Sequence, residues 1–263
     1  MYSLGILGLG KMGGSILEGV TNAKLYENSD IMFYTLGDEE QKKYKSMGYA
    51  LAKNEKDLFS NCKTILLAIK PQMFQDALEY AKGIDFSNCC VITIAAGIAI
   101  NYVEKYFSNA TVVRVMPNTP ALIKMAAATI CTNRKNDLYQ NAKRIFESIG
   151  SVTEIEESQM NDTLPLNGSM PAYLYLFAKA FIDSAKKYNI SEESAKELCC
   201  NAIIGSANMI LESKDSIDVL IDNVCSKGGT TIEGLNELYD NEFEKAIAKC
   251  YDACVRRAYE LNK

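Results

Sequence analysis

Short apolar runs alternate with stretches of helical periodicity over the first 157 residues. The runs are Leu4–Leu7, Asp30–Thr35, Thr64–Ile69, Val91–Gly97 and Thr111–Met116. A helical stretch separates each run from the next, as expected where crossover helices join parallel strands. From Ile65 to Ile69 the third run is wholly apolar, which is typical of a strand covered on both faces. This pattern predicts an α/β fold with a Rossmann-type doubly wound sheet.

After about Glu157 the strand signal stops and helical patterns follow. Residues 172 to 188 are apolar almost all round, so this helix must be buried, and a second subunit is one way to bury it. Ser191 is placed to cap the next helix, which should run to about Glu212, and the segment after Asn241 is again helical. We predict a dinucleotide-binding domain over 1–157 and an all-α domain over 158–263.

A glycine-rich turn follows the first predicted strand. Gly8, Gly10 and Gly13 have the spacing G-x-G-x-x-G between a strand and a helix, which is the dinucleotide fingerprint. In this motif the first glycine permits the tight turn, the second lets the pyrophosphate approach, and the third packs the helix on the strand. We therefore expect the N-terminal part of the chain to bind a dinucleotide.

The end of the second predicted strand bears on which dinucleotide is bound. An NAD site usually has Asp or Glu there to hold the ribose 2′-hydroxyl. This chain has Tyr34–Gly37 at that point and no carboxylate before Asp38, which favours NADP(H) and leaves NAD(H) as the alternative. The acidic residues 38–40 also suit the first turn of the next helix, and Lys42 and Lys43 suit its solvated face.

Composition and charge narrow the classes of function. The 263 residues include nine cysteines and no histidine, and the net charge is −5. Without histidine the chain lacks the usual general base, and a zinc site would need thiolates and carboxylates alone, so we expect no metal. An odd number of cysteines favours free thiols. The negative charge and scattered basic residues predict no nucleic-acid partner.

The start and the hydropathy of the chain bear on its location. No apolar run approaches the roughly 20 residues that a membrane span needs. Residues 1–6 begin directly in a strand-like pattern, without the basic region of a secretory signal. We expect no membrane partner and a cytoplasmic location.

A second glycine-rich stretch, Cys225–Leu235, lies within the helical part of the chain. Two adjacent glycines are followed by Thr230 and Thr231 and then by an apolar helical pattern. Free backbone N–H groups and two hydroxyls at a helix N-terminus can bind an anion. The same sequence also suits an ordinary helix start with a flexible lead-in.

Taken together, these segments resemble pyrroline-5-carboxylate reductases, the enzymes of the last step of proline biosynthesis, over essentially the whole chain. The resemblance rests on the segments Gly8–Gly13, Ala68–Pro71, Ala95–Gly97, Met116–Pro120, Pro171–Tyr173 and Cys225–Leu235. It implies hydride transfer from NAD(P)H to the imine carbon of 1-pyrroline-5-carboxylate, giving L-proline. It also implies a homo-oligomer, a dimer that in this family often assembles further, commonly into decamers.

The same resemblance implies roles for individual residues. The dinucleotide would be contacted by Leu7, Gly8, Leu9, Gly10, Lys11, Met12, Thr35, Asn54, Ala68, Ile69, Lys70 and Pro71. The substrate carboxylate would be held by Ser226, Gly228, Gly229, Thr230 and Thr231. Thr231 would also lie beside the ring nitrogen as the catalytic residue. Reduction of a protonated imine needs a hydride and orientation rather than a strong acid, so a histidine-free chain can perform it.

Two residues depart from the family pattern. Lys227 stands where proline is usual, and we hypothesise that its ammonium raises affinity for the anionic substrate; an unchanged or lower KM in Lys227→Pro would reject this. Met170 stands where a small residue usually precedes Pro171.

Two other functions stay open. One is another imine or β-hydroxyacid reductase of the same plan, in which Lys179 on the first long helix of the second domain would be the candidate acid. The other is a dinucleotide sensor without catalysis, which does not explain why Ser226 and Thr231 are both present.

Overall fold

The computed structural model describes residues 1–261, and within them the chain forms eight strands and eleven α-helices. The strands are β1 Tyr2–Leu7, β2 Ile31–Tyr34, β3 Ala50–Leu51, β4 Cys62–Leu67, β5 Cys90–Thr93, β6 Thr111–Met116, β7 Ala126–Thr132 and β8 Gly150–Glu154. The helices of the N-terminal part are α1 Lys11–Asn22, α2 Asp38–Ser46, α3 Glu55–Asn61, α4 Phe74–Leu78, α5 Ile100–Glu104 and α6 Asp137–Glu147. Those that follow are α7 Met170–Ala185, α8 Glu192–Glu212, α9 Ile217–Val224, α10 Thr230–Asp240 and α11 Phe243–Leu261.

All eight strands belong to one sheet, in the order β3-β2-β1-β4-β5-β6-β7-β8. The pairs from β3 to β6 are parallel, β7 runs antiparallel to β6, and β8 is parallel to β7. The strand order reverses between β1 and β4, which is where a doubly wound sheet opens a crevice at its carboxyl edge. The predicted Rossmann-type fold is therefore confirmed, and the sequence pattern missed β3, β7 and β8.

Two clusters of buried side chains cover the two faces of the sheet. One contains Phe59, Phe86 and Phe107 with the inward residues of β4 and β6, and the other contains Phe33, Tyr139 and Phe146. Central strands bury residues on both faces, as in β6, where all six residues are buried. Their near-continuous apolar sequences follow from that double burial.

By its internal contacts the chain divides into two compact units. The first, called the sheet unit, comprises Met1–Pro171 together with the described residues from Cys254 onward, and the second, the helical unit, comprises Ala172–Ala253. The boundary drawn from the sequence at 157/158 stays a prediction. In the helical unit Ser191 caps α8 as expected, because its Oγ accepts a hydrogen bond from the N–H of Ser194 at 3.1 Å.

No helix within residues 1–261 combines the length and the hydropathy that a membrane crossing requires.

Candidate functional site

A crevice of about 330 Å³ opens at the carboxyl edge of the sheet, between the ends of β1, β2 and β4. Eight of the twelve residues predicted to contact a dinucleotide line it, namely Leu7, Gly8, Leu9, Gly10, Thr35, Ala68, Ile69 and Lys70. The other four, Lys11, Met12, Asn54 and Pro71, lie outside its lining. The structure thus brings together most of the residues that the sequence placed around a dinucleotide, and the contacts themselves stay a prediction.

The three glycines of the turn after β1 differ in the space around them. Gly8 has φ +94°, and a β-carbon there would stand 2.7 Å from the carbonyl oxygen of Ala68. Gly13 lies so close to the carbonyl oxygen of Gly8 that no β-carbon fits. Gly10, by contrast, has no atom within 4 Å of its would-be β-carbon, so the space in front of it is open.

The first turn of α1 is open to an anion. Gly10 is the residue before the helix, no side chain caps it, and no acidic residue stands in the first turn. The first turn of α1 therefore begins beside the crevice with no side-chain cap and no acidic residue, which is the arrangement that binds a pyrophosphate.

Several lining residues were not singled out from the sequence. Tyr34, Leu36, Gly37 and Glu40 come from the end of β2 and the start of α2, Glu55 begins α3, and Met73 and Ala77 follow β4. Asn54, in turn, caps α3, because its Oδ1 accepts a hydrogen bond from the N–H of Asp57 at 2.9 Å. The hydrophobic pattern could not show that Glu55 rather than Asn54 lines the crevice, because both lie at the tip of a connection.

The Met116–Pro120 motif has a structural explanation in the sheet unit. The amide of Asn118 donates to the carbonyl oxygen of Asn167 at 3.1 Å and accepts from the N–H of Ala127 at 3.0 Å. Asn167 in turn donates to the carbonyl oxygen of Met116 at 2.9 Å. Both asparagines are buried, so these bonds satisfy groups that would otherwise be costly to bury.

In the helical unit, Cys225–Leu235 forms a tight turn leading into α10. Gly228 has φ +69°, which favours glycine, and the N–H of Gly229 donates to the carbonyl oxygen of Ser226 at 2.9 Å. Gly229 precedes α10, and no side chain caps its first turn. The stretch therefore presents uncapped N–H groups next to Ser226, Thr230 and Thr231, all three exposed.

Thr231 also lines an open groove of about 730 Å³ within the helical unit. Most of the other lining residues are apolar and come from α8 and α9, among them Ile210, Ile217 and Leu220. Lys227 lies outside this lining and is exposed. The polar start of α10 thus adjoins an apolar groove, and this combination suits a small ligand with a carboxylate and an apolar ring.

Other side chains that could have carried chemistry are either paired with a charged neighbour or held in an unreactive protonated form. Lys179, the candidate acid for a hydroxyacid reductase, is exposed and forms an ion pair with Asp183. Burial raises the pKa of Cys62, Cys90 and Cys131 to about 12, so these thiols stay protonated at neutral pH. Among residues 1–261, no group of three or more His, Cys, Asp or Glu side chains is placed to hold a metal ion.

Comparison with known proteins finds a family model for each part of the chain and relatives that match nearly all of it. Residues 157–261 match the family model for pyrroline-5-carboxylate reductase dimerisation, and residues 3–97 match that for coenzyme F420-dependent NADP oxidoreductase. Pyrroline-5-carboxylate reductase of Synechocystis is 30% identical, the match covering 99% of this chain and 98% of that protein. Pyrroline-5-carboxylate reductase 2 of Bacillus subtilis is 29% identical, over 100% of this chain and 96% of its own length.

The fold agrees with the same relationship. The crystal structure of Plasmodium falciparum pyrroline carboxylate reductase with NADP bound superimposes with a TM-score of 0.87 at 29% identity, covering 100% of this chain and 98% of that chain. Since relatives match the chain from end to end in both sequence and fold, it belongs to the pyrroline-5-carboxylate reductase family.

Proposed function

We propose that this protein reduces 1-pyrroline-5-carboxylate to L-proline, with NADH or NADPH as the hydride donor. The observation that carries the proposal is the full-length match to pyrroline-5-carboxylate reductases, two of which are named above. The glycine turn, the crevice beside it and the uncapped start of α10 supply the chemistry that this reaction needs.

The crevice of the sheet unit is the proposed dinucleotide site. Its open space at Gly10 and the free first turn of α1 fit a pyrophosphate, and the apolar side chains of Ile69, Met73 and Ala77 fit an aromatic ring. When bound, the nicotinamide would supply the hydride.

The start of α10 is the proposed substrate site. Its free N–H groups and the Ser226 and Thr230 hydroxyls hold the substrate carboxylate, which the positive end of the helix also attracts. The Thr231 hydroxyl both donates and accepts hydrogen bonds, so it can orient the ring nitrogen whether that nitrogen is an iminium or the product amine. A substrate bound as the iminium would already carry the proton on nitrogen, so hydride addition at the imine carbon would give the amine without a protein acid, and the amine would then take a proton from solvent.

The test is dinucleotide oxidation with pyrroline-5-carboxylate, followed at the nicotinamide absorbance, with proline identified as the product. We expect turnover with at least one of the two cofactors, and a fall in kcat of about 100-fold in Thr231→Ala. Thr231→Ser keeps the hydroxyl and should stay within about threefold of wild type. Thr153→Ala, an exposed threonine on β8, is the matched control and should behave as wild type.

The alternatives give different results in the same assay. Turnover of other cyclic imines or of β-hydroxyacids, but not of pyrroline-5-carboxylate, would identify a different reductase. Dinucleotide binding with no turnover of any of these substrates would identify a sensor.

We also propose that the protein is a homodimer, formed through the helical unit. Leu174, Leu176, Phe181 and Leu198 on α7 and α8 are between 41% and 68% exposed in the single chain. Side chains of α7 and α8 also line an apolar cleft of about 700 Å³. Apolar surface of this kind marks an interaction site. A further assembly into decamers stays a prediction from the family resemblance.

A further inference from the structure

Two carboxylates line the dinucleotide crevice near the end of β2. Glu40 lies in the first turn of α2, and Glu55 is the first residue of α3. The lining contains a single cationic side chain, Lys70, which follows β4. The part of the crevice next to β2 is therefore negatively charged.

Local packing places Glu40 at the strand end. Its carboxylate folds back over Gly37 and occupies the space where a β-carbon on that residue would stand. The connection itself is held by Gln41, whose Nε2 donates to the carbonyl oxygen of Thr35 at 2.6 Å. The turn thus returns an acidic group to the segment where the second strand of a dinucleotide fold ends.

Glu55 reaches the same region from another part of the chain. Burial and, after it, the charge of Glu55 raise the pKa of Tyr34, the last residue of β2. β3 pairs with β2, and α3 begins four residues after β3 ends, so this pairing positions α3 and Glu55.

Apart from Lys70, no basic side chain lines the crevice to balance these carboxylates. On α2, Lys43 lies over the ring of Tyr44, 5.0 Å from its centroid, and Lys42 is outside the lining. The N-terminus of α2 would attract a phosphate, but its first turn already carries three acidic residues, Asp38, Glu39 and Glu40.

A carboxylate and a phosphate cannot share this position. At the end of the second strand, an acidic side chain accepts a hydrogen bond from a ribose 2′-hydroxyl, whereas a 2′-phosphate needs a cationic partner. We propose that Glu40, aided by Glu55, makes this chain prefer NADH over NADPH by binding the 2′-hydroxyl and repelling a 2′-phosphate. The sequence of the strand end alone favoured NADP(H), because its first carboxylate, Asp38, lies beyond the strand end. The structure leads to the opposite preference.

The proposal refines the proposed function, but it is tested first by binding, which requires no reaction. The equilibrium affinities of NADH and NADPH are measured by titration calorimetry on wild type, Glu40→Gln and Glu39→Gln. We expect wild type to bind NADH at least about tenfold more tightly, and Glu40→Gln to reduce that ratio about tenfold, mainly through tighter NADPH binding. Glu39→Gln removes the same charge from the same turn outside the lining, and should change the ratio by less than about twofold.

Two further measurements complete the test. Glu55→Gln should reduce the ratio less than Glu40→Gln, and thermal melts should show all three variants folded, because these side chains are solvent-accessible. The ratio of kcat/KM for the two cofactors should follow the binding ratio.

Two results would overturn the proposal: tighter binding of NADPH by wild type, or an unchanged ratio in Glu40→Gln. If the binding ratios are as expected while pyrroline-5-carboxylate is not reduced with either cofactor, the proposed reaction fails and the cofactor inference stands.

Discussion

At the scale of single residues, positions 10 and 13 are both glycine, but for different physical reasons. At position 13 the fold leaves no room for a side chain, because the carbonyl oxygen of Gly8 fills the space. Gly10 has normal backbone angles, φ −68°, and open space in front of it, so nothing in the described chain forbids a side chain there. The motif alone cannot show this difference, since it presents both positions simply as glycine.

This difference predicts two separable phenotypes. Gly13→Ala should destabilise the protein by roughly 1–3 kcal/mol through overpacking, seen as a lower midpoint in denaturant unfolding. Gly10→Ala should keep the wild-type midpoint and lose about tenfold in dinucleotide affinity, because its methyl group would occupy the approach of the pyrophosphate. Wild-type dinucleotide affinity in a folded Gly10→Ala would show that the phosphates do not lie at this turn.

At the scale of elements, α6 and β8 are linked by a small ion-pair cluster. Glu154 on β8 pairs with Lys143 of α6 at 2.8 Å and with Lys135 before α6 at 3.2 Å. Hydrogen bonds from Lys143 and then Lys135 lower the pKa of Glu154 to about 2. These contacts tie a short, largely polar edge strand to the helix packed beside it.

The lowered pKa predicts how the cluster responds to pH. The folded state holds the Glu154 proton less tightly than the unfolded state, so the stabilisation is present above about pH 4.5 and is lost as the pH falls towards 2. The side chain is 34% exposed, so we expect only about 0.5–1 kcal/mol. Denaturant unfolding of wild type and Glu154→Gln should therefore differ by this amount at pH 6 and converge near pH 2. A constant difference across that range would contradict the role of the ionised pair.

At the scale of the whole molecule, the helical unit carries apolar side chains that the single chain leaves exposed. Its helices are long and apolar, yet Ala195 is the one buried apolar residue among Ala172–Ala253. The sheet unit, in contrast, buries two full layers of side chains. This imbalance is the physical reason to expect a partner of the same kind, because isolated apolar helices of this type are costly to expose.

The homodimer predicts a change of mass with one substitution. Sedimentation equilibrium of wild type should give a mass of at least twice 29.1 kDa. Leu198→Glu places a charge on a side chain that is 68% exposed in the single chain and lines the apolar cleft, and it should shift the mass towards the monomer. Lys196→Glu, an exposed neighbour on the same helix, should keep the wild-type mass. A monomeric wild type would reject the dimer.

Much of this protein could be predicted from local patterns. The apolar runs predicted β1, β2, β4, β5 and β6, the serine at 191 predicted the start of α8, and the motifs predicted a family that the comparisons confirm. These features depend on residues near one another in the chain, where periodicity and capping act directly. The apolar pattern did not predict β7 and β8, because β7 is alanine-rich and β8 is short and mostly polar.

What the sequence could not decide was which distant residues share a space. In the sequence, Glu40 belongs to the first turn of a helix. Glu55 comes 21 residues after β2 ends. The Glu40 side chain lies back over Gly37, and β3 pairs with β2, so that both carboxylates line the crevice. The sequence by itself determined the fold class and the glycine turn, because these follow from local backbone requirements, and it determined the family through its motifs. Only the tertiary structure decided the charge of the dinucleotide crevice, because electrostatic interactions depend on distance in space.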